Sequence, residues 1–195
     1  NGTNDKTPSE MARTSNFAFF YLWALLICSA GLIIINSAAS ISVSFGLLPV
    51  MGLLVSVFNG LGRIILGTLF DLLKEKRTIL LNSFILIFAG LCFIIGYVTG
   101  LTAVVILGFI LTGIGYGGAP AITSPFINKT FGTKHFSINF GISNTFLIPS
   151  ALIGPIISSA LIEQSNGSYN TTFYLLLGLS VVSLVPCLKL ARNLK

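Results

Sequence analysis

Two stretches of this chain, Thr14 to Gly62 and Thr78 to Asn128, carry no charged residue at all. Each is long enough for two bilayer crossings, since one helical crossing takes about 20 apolar residues. Composition agrees: 8% of the residues are charged, against about 25% in soluble domains. So much apolar surface cannot be hidden in one water-facing core of this size, so lipid is expected to solvate most of the chain. The expected spans are Phe17 to Ser40, Leu47 to Phe70, Thr78 to Val98, Leu101 to Phe126, Ser137 to Ile162 and Thr171 to Leu190, with a tight uncharged turn at Ile41 to Gly46. Backbone polar groups must pair within each span in lipid, which requires helix, and the short alternating segments of a membrane β-barrel are absent. The fold class expected is an all-α membrane protein of six transmembrane helices, with a linker segment at 1–16, a bundle at 17–190 and a tail at 191–195.

The basic residues give an orientation. Lys6 and Arg13 precede the first span, Lys74, Lys76 and Arg77 follow the second, Lys129 and Lys134 follow the fourth, and Lys189, Arg192 and Lys195 end the chain. Of eleven Lys and Arg residues, all but Arg63 fall on alternate connections, ten against none on the other side. Lys and Arg are retained on the cytoplasmic face, so both termini of this segment are expected to be cytoplasmic in an integral, plasma-membrane protein. The net charge of +6 is spread in small clusters between apolar runs, which does not form the basic stripe that nucleic acid needs.

Cys28, Cys92 and Cys187 lie within apolar runs, without a CxxC or a nearby histidine, so neither a metal nor a disulfide is expected. No other cofactor is expected either. The sequons Asn166-Gly-Ser168 and Asn170-Thr-Thr172 fall on the outside, where they read as glycan acceptors or as an ordinary polar loop. No signal-peptide pattern stands at the start, and a chain opening at Asn1 reads as a piece of a longer protein.

Arg63 is the exception to the charge pattern. It stands inside the second span, in Asn59-Gly-Leu-Gly-Arg63-Ile-Ile-Leu-Gly67-Thr-Leu-Phe-Asp71, and a charge at that depth costs about 3 kcal/mol or more. Asp71 is eight residues on, roughly 12 Å along the axis. A guanidinium binds a planar carboxylate by two parallel hydrogen bonds, and Asn59, four residues earlier, shares its helix face. The other reading is that Arg63 snorkels to the surface or pairs structurally. Asp71, beside Lys74, Glu75, Lys76 and Arg77, reads either as part of a solvated loop or as a latch that engages in one conformation only.

Gly113, Gly115 and Gly118 form a GxGxxG, but a dinucleotide site needs a strand before it and a helix after it. Close helix packing is the better reading, and Pro120 and Pro125 make the helix easy to bend. Asn144, near the middle of the fifth span, either lines a cavity or bonds a neighbouring helix. No His, Asp or Glu lies deep in any span, so no catalytic constellation can be assembled and the chain is not expected to be an enzyme.

Taken in order, Asn59-Gly-Leu-Gly-Arg63 with Gly67 and Asp71, Gly115-Tyr-Gly-Gly-Ala-Pro120, Phe131-Gly-Thr-Lys134, Asn139-Phe-Gly141 and Gly154-Pro155 resemble the C-terminal six-helix half of a major facilitator superfamily transporter, in the oxalate–formate antiporter and monocarboxylate transporter branch. The resemblance covers nearly the whole chain after residue 10. It implies half of a twelve-helix bundle, a missing N-terminal six-helix half as partner, and alternating access around a midplane site. It also implies that Arg63 binds the substrate carboxylate, and Gly67 and Asp71 match the start of the superfamily's cytoplasmic loop signature. Asn59, Tyr116 and Asn144 are further candidate substrate-binding residues, and Gly67, Asp71, Lys76 and Arg77 the candidate cytoplasmic latch. Lys74 stands where that signature usually has Gly. The intramembrane Lys of oxalate–formate antiporters has no counterpart in Ser137 to Ile162, so one cation matches one carboxylate. A monocarboxylate such as lactate, pyruvate or formate is therefore expected over oxalate. The alternatives are a half-transporter for a dicarboxylate, sugar or drug, or a non-transporting assembly or sensor subunit. Arg does not release its proton, so any proton coupling would run through the other half or the substrate acid.

Overall fold

A computed structural model describes residues 5–194 of the chain; residues 1–4 of the linker segment and Lys195 lie outside it. The described residues form helices and connecting turns. A short helix α1 (Pro8–Ala12) precedes α2 (Ser15–Ser44), a 3-10 turn at Pro49–Leu53, α3 (Leu54–Thr99), α4 (Thr102–Phe131), α5 (Phe136–Asn144), α6 (Leu147–Gln164), α7 (Asn170–Val182) and α8 (Leu184–Asn193). Among the described residues, five segments are long and apolar enough to cross a membrane: Ser15–Ser44, Pro49–Thr99, Thr102–Phe131, Phe136–Gln164 and Asn170–Asn193. The chain is an integral membrane protein, and lipid is its solvent.

The second segment is two helices joined at a reversal. A straight α3 of 46 residues would run roughly 69 Å, more than twice the roughly 30 Å hydrocarbon core. At Lys74 the backbone leaves the helix (φ 64, ψ 171), and the Thr78 hydroxyl donates to the Leu69 carbonyl at 3.2 Å. That contact across nine residues is out of reach in a straight helix. The two limbs of α3 therefore run antiparallel, and the bundle has six helical columns.

The columns differ in detail from the apolar runs. The helix α2 continues to Ser44, so Ile41 to Ser44 is helical rather than turn, and the reversal follows at Gly46 (φ 69). The expected span Leu47 to Phe70 opens instead with the 3-10 turn at Pro49, and α4 runs on to Phe131. The last two columns are each broken, α5 from α6 at Thr145 and Phe146, and α7 from α8 at Ser183. Pro149 and Pro186 lie just beyond the breaks and cannot donate to the carbonyls of Thr145 and Val182, which releases one helical bond in each column.

Glycine sets the closeness of α3 and α4. A Cβ at Gly62 would lie 2.6 Å from the Ile114 carbonyl oxygen, and one at Gly113 2.5 Å from that of Val55. Gly117 faces Asn59, Gly118 faces Leu66 and Asn82, and Gly115 faces Leu86 on the second limb. The α4 glycines thus serve both limbs of α3, as close packing in lipid requires. The centre is aromatic and polar by turns. Phe20 stacks on Phe126 and Phe93 on Phe173, while Trp23 donates to Ser83 at 2.9 Å and Ser183 reaches the same hydroxyl.

The basic segments gather at one end. The Lys6 amide donates to the Phe131 carbonyl, Lys129 pairs with Glu75 at 2.6 Å, Asn193 donates to Ser15, and Leu194 lies against 72–77. The opposite end brings Ser44 and Phe45 beside Tyr97 and Gly167 to Tyr169.

Candidate functional site

A cavity of about 420 Å³ opens on one side of the bundle, lined by Arg63, Tyr116, Pro120, Ala121, Phe140, Asn144 and Leu147. Four helices build it. Arg63 stands midway along the first limb of α3, between Leu54 and the reversal at Lys74. Tyr116 and Pro120 are one turn apart on α4. Phe140, Asn144 and Leu147 follow at helical spacing across the break between α5 and α6. The Tyr116 ring is seated where α2 has Gly31, whose missing Cβ would lie 2.7 Å from that of Tyr116. Beside Asn144, Tyr21 and Thr145 share a hydrogen bond of 3.1 Å.

The cavity's electrostatics are simple. Among the described residues, Arg63 is its one cation and no carboxylate lines it. The single salt bridge among the described residues lies elsewhere, between Lys129 and Glu75. Arg63 is exposed to the cavity and carries an uncompensated charge along an apolar helix, a costly placement. A guanidinium so placed can donate two parallel hydrogen bonds to an anion entering the cavity.

Three of the four expected substrate residues, Arg63, Tyr116 and Asn144, are thus brought together. Asn59 is not among the lining residues. Its side-chain oxygen is buried without a partner, turned against Gly117. Pro120, Ala121, Phe140 and Leu147 complete the wall, beyond the residues the sequence pointed to. The Phe140–Asn144–Leu147 spacing is a signal that would have found two of them.

At the basic end, Lys76 and Arg77 line a cleft of about 280 Å³ with Leu72 to Glu75 and Leu194. Gly67 and Asp71 are not part of it. A Cβ at Gly67 would meet nothing, and Asp71 is exposed without an ion pair among the described residues. Glu75 lies in the charged reversal outside the apolar crossings. Burial alone would raise its pKa, but the hydrogen bond and charge of Lys129 outweigh this and hold it below the ordinary range. The exposed Glu10 carboxylate is likewise lowered, chiefly by the Thr7 backbone N–H and hydroxyl of its capping box.

A bundle of membrane-crossing helices with a singly charged cavity defines a polytopic membrane protein. The family model for the Major Facilitator Superfamily matches residues 12–194, and the chain belongs to that superfamily. Membership places it among membrane transporters and not among enzymes. No curated protein matches it.

Proposed function

We propose that the chain is the C-terminal six-helix half of a secondary transporter that moves a small monocarboxylate, of the lactate, pyruvate or formate type, by alternating access. The observation that carries this is Arg63, an unpaired guanidinium midway along a membrane helix and open to a cavity. A carboxylate arriving there exchanges water for two charge-assisted bonds in a medium of low dielectric, where such bonds are strong. One cation without a second fits a single negative charge. The lateral opening supports a partner half that closes the cavity from the other side. Asn59 contributes through the close approach of α3 and α4, and Tyr116 and Asn144 through the cavity wall. The latch of Gly67, Asp71, Lys76 and Arg77 engages that partner half at the cytoplasmic end of a plasma-membrane protein.

Arg63→Ala in the intact transporter, reconstituted in liposomes, tests the reading. Carboxylate uptake is expected to fall by about a hundredfold or more, the loss of roughly 3 kcal/mol when a buried charge pair loses one partner, while insertion is unchanged. Unaltered affinity would remove Arg63 from the site.

A further inference from the structure

The cleft at the basic end has a chemistry that carboxylate transport does not use. Its volume of about 280 Å³ is lined by the apolar Leu72, Leu73 and Leu194 and by the cations Lys74, Lys76 and Arg77, with Glu75 as its one acid. Its depth follows from the helix that leads to it. The first limb of α3, from Leu54 to Leu73, runs roughly 30 Å, about the thickness of the hydrocarbon core. The reversal at Lys74 therefore lies where lipid headgroups begin. Lys74, Lys76 and Arg77 are exposed, and none has an ion-pair partner among the described residues. Glu75 does not neutralise them, because Lys129 already holds it at 2.6 Å. Leu72 is 71% exposed, and an exposed leucine beside three cations is the pattern of a segment resting on a headgroup layer. Lys74 keeps its side chain although its backbone (φ 64) favours glycine, and strain of that kind is a pointer to function.

We propose that this cleft binds an anionic phospholipid, its phosphate on Lys74, Lys76 and Arg77 and its first acyl carbons on the leucines. A guanidinium takes two phosphate oxygens at once, and clustered Lys and Arg beside a membrane crossing attract anionic headgroups. A zwitterionic lipid brings its own ammonium, which would face the same three cations. A free phosphate would meet the cations but leave the leucines in water. The inference goes beyond the carboxylate reading and does not use Arg63. It shares Lys76 and Arg77 with the proposed latch, whose partner is protein rather than lipid.

Short-chain phosphatidylglycerol titrated into the intact transporter in neutral detergent tests the site, with phosphatidylcholine of the same chains and inorganic phosphate as comparisons. Phosphatidylglycerol is expected to saturate and to bind at least about tenfold more tightly than either. Lys74→Gln combined with Lys76→Gln and Arg77→Gln should weaken it about a hundredfold, roughly fivefold for each cation. Lys134→Gln with Arg192→Gln removes two cations of the same end that do not line the cleft. That pair should change the affinity by less than about twofold, since charges beyond about 8 Å are screened at physiological salt. If the triple variant does not insert, Lys74→Gly removes one cation while relieving the backbone, and should still lower affinity about fivefold. Equal affinities for the two lipids overturn the site, as does undiminished binding in the cleft variants or an equal loss in the Lys134 and Arg192 pair. Inorganic phosphate binding as tightly as the lipid overturns the lipid as its occupant. Uptake lost from the triple variant with lipid affinity kept assigns these cations to the latch alone and overturns the lipid site. Arg63→Ala should leave phosphatidylglycerol binding unchanged whatever it does to carboxylate uptake, so the two claims fail separately.

Discussion

Lys74 occupies a backbone region (φ 64, ψ 171) that is essentially reserved for glycine, because a Cβ there crowds the neighbouring carbonyls. The cost is of order 1–3 kcal/mol, and the reversal of α3 imposes it: the Thr78 hydroxyl ties the second limb back to both Lys74 and Leu69. Lys74→Gly is expected to raise stability by about 1 kcal/mol, read as a higher melting temperature in detergent. A fall would mean that the Lys74 side chain contributes more than its backbone costs. The departure from the usual glycine, noticed in the sequence as an irregularity of the loop signature, thus corresponds to strain at a defined bond.

Between elements, the close approach of α3 and α4 is the most demanding contact. Gly117 lies against the Asn59 backbone and side-chain oxygens, so any side chain there must push the helices apart. Gly117→Leu is expected to destabilise by about 3 kcal/mol or more, since overpacking against backbone exceeds the usual 1–3 kcal/mol. Gly178, exposed on α7 with nothing near its missing Cβ, provides the contrast. Gly178→Ala should be neutral or stabilising by up to about 1 kcal/mol. Thermal unfolding of the two variants side by side would count against this packing account if they shifted alike. The helical columns were legible in the sequence because charge is so expensive in lipid that the runs between Arg13, Lys74, Lys129 and Lys189 delimit them. Their breaks were less so. Pro149 and Pro186 announce a lost hydrogen bond, but whether a helix bends through it or stops depends on neighbours far away in sequence. The same limit applies to the site. Arg63 stood out by its cost, whereas Asn59 shares its helix face but turns to Gly117, a choice made by the packing of α4.

At the scale of the molecule, the bundle is polar along its long axis, with the basic segments at one end and Ser44, Thr99 and Ser168 towards the other. If the basic end is cytoplasmic, a membrane-impermeant thiol reagent applied to cells should label Ser44→Cys and Thr99→Cys from outside. Lys134→Cys and Arg192→Cys should react only after permeabilisation. Cys28 and Cys187 are buried and should stay silent, and partly exposed Cys92 is best replaced by Ser. The reverse labelling pattern would invert the orientation.

The short α5 is tied at its start to the segment ahead of α1. Ahead of it, the Asp5 carboxylate accepts from the Thr133 and Lys134 amides at 3.0 and 3.1 Å, and the Asn139 amide donates to the Lys6 carbonyl at 3.0 Å. Beyond it, the column breaks at Thr145. A helix of nine residues is about 13 Å long, which is the whole distance between those ties and the break. Asn139, bonded to Lys6, adjoins Phe140, and Asn144 closes the same short helix, so the segment at Asp5 and Lys6 and the cavity wall share one element.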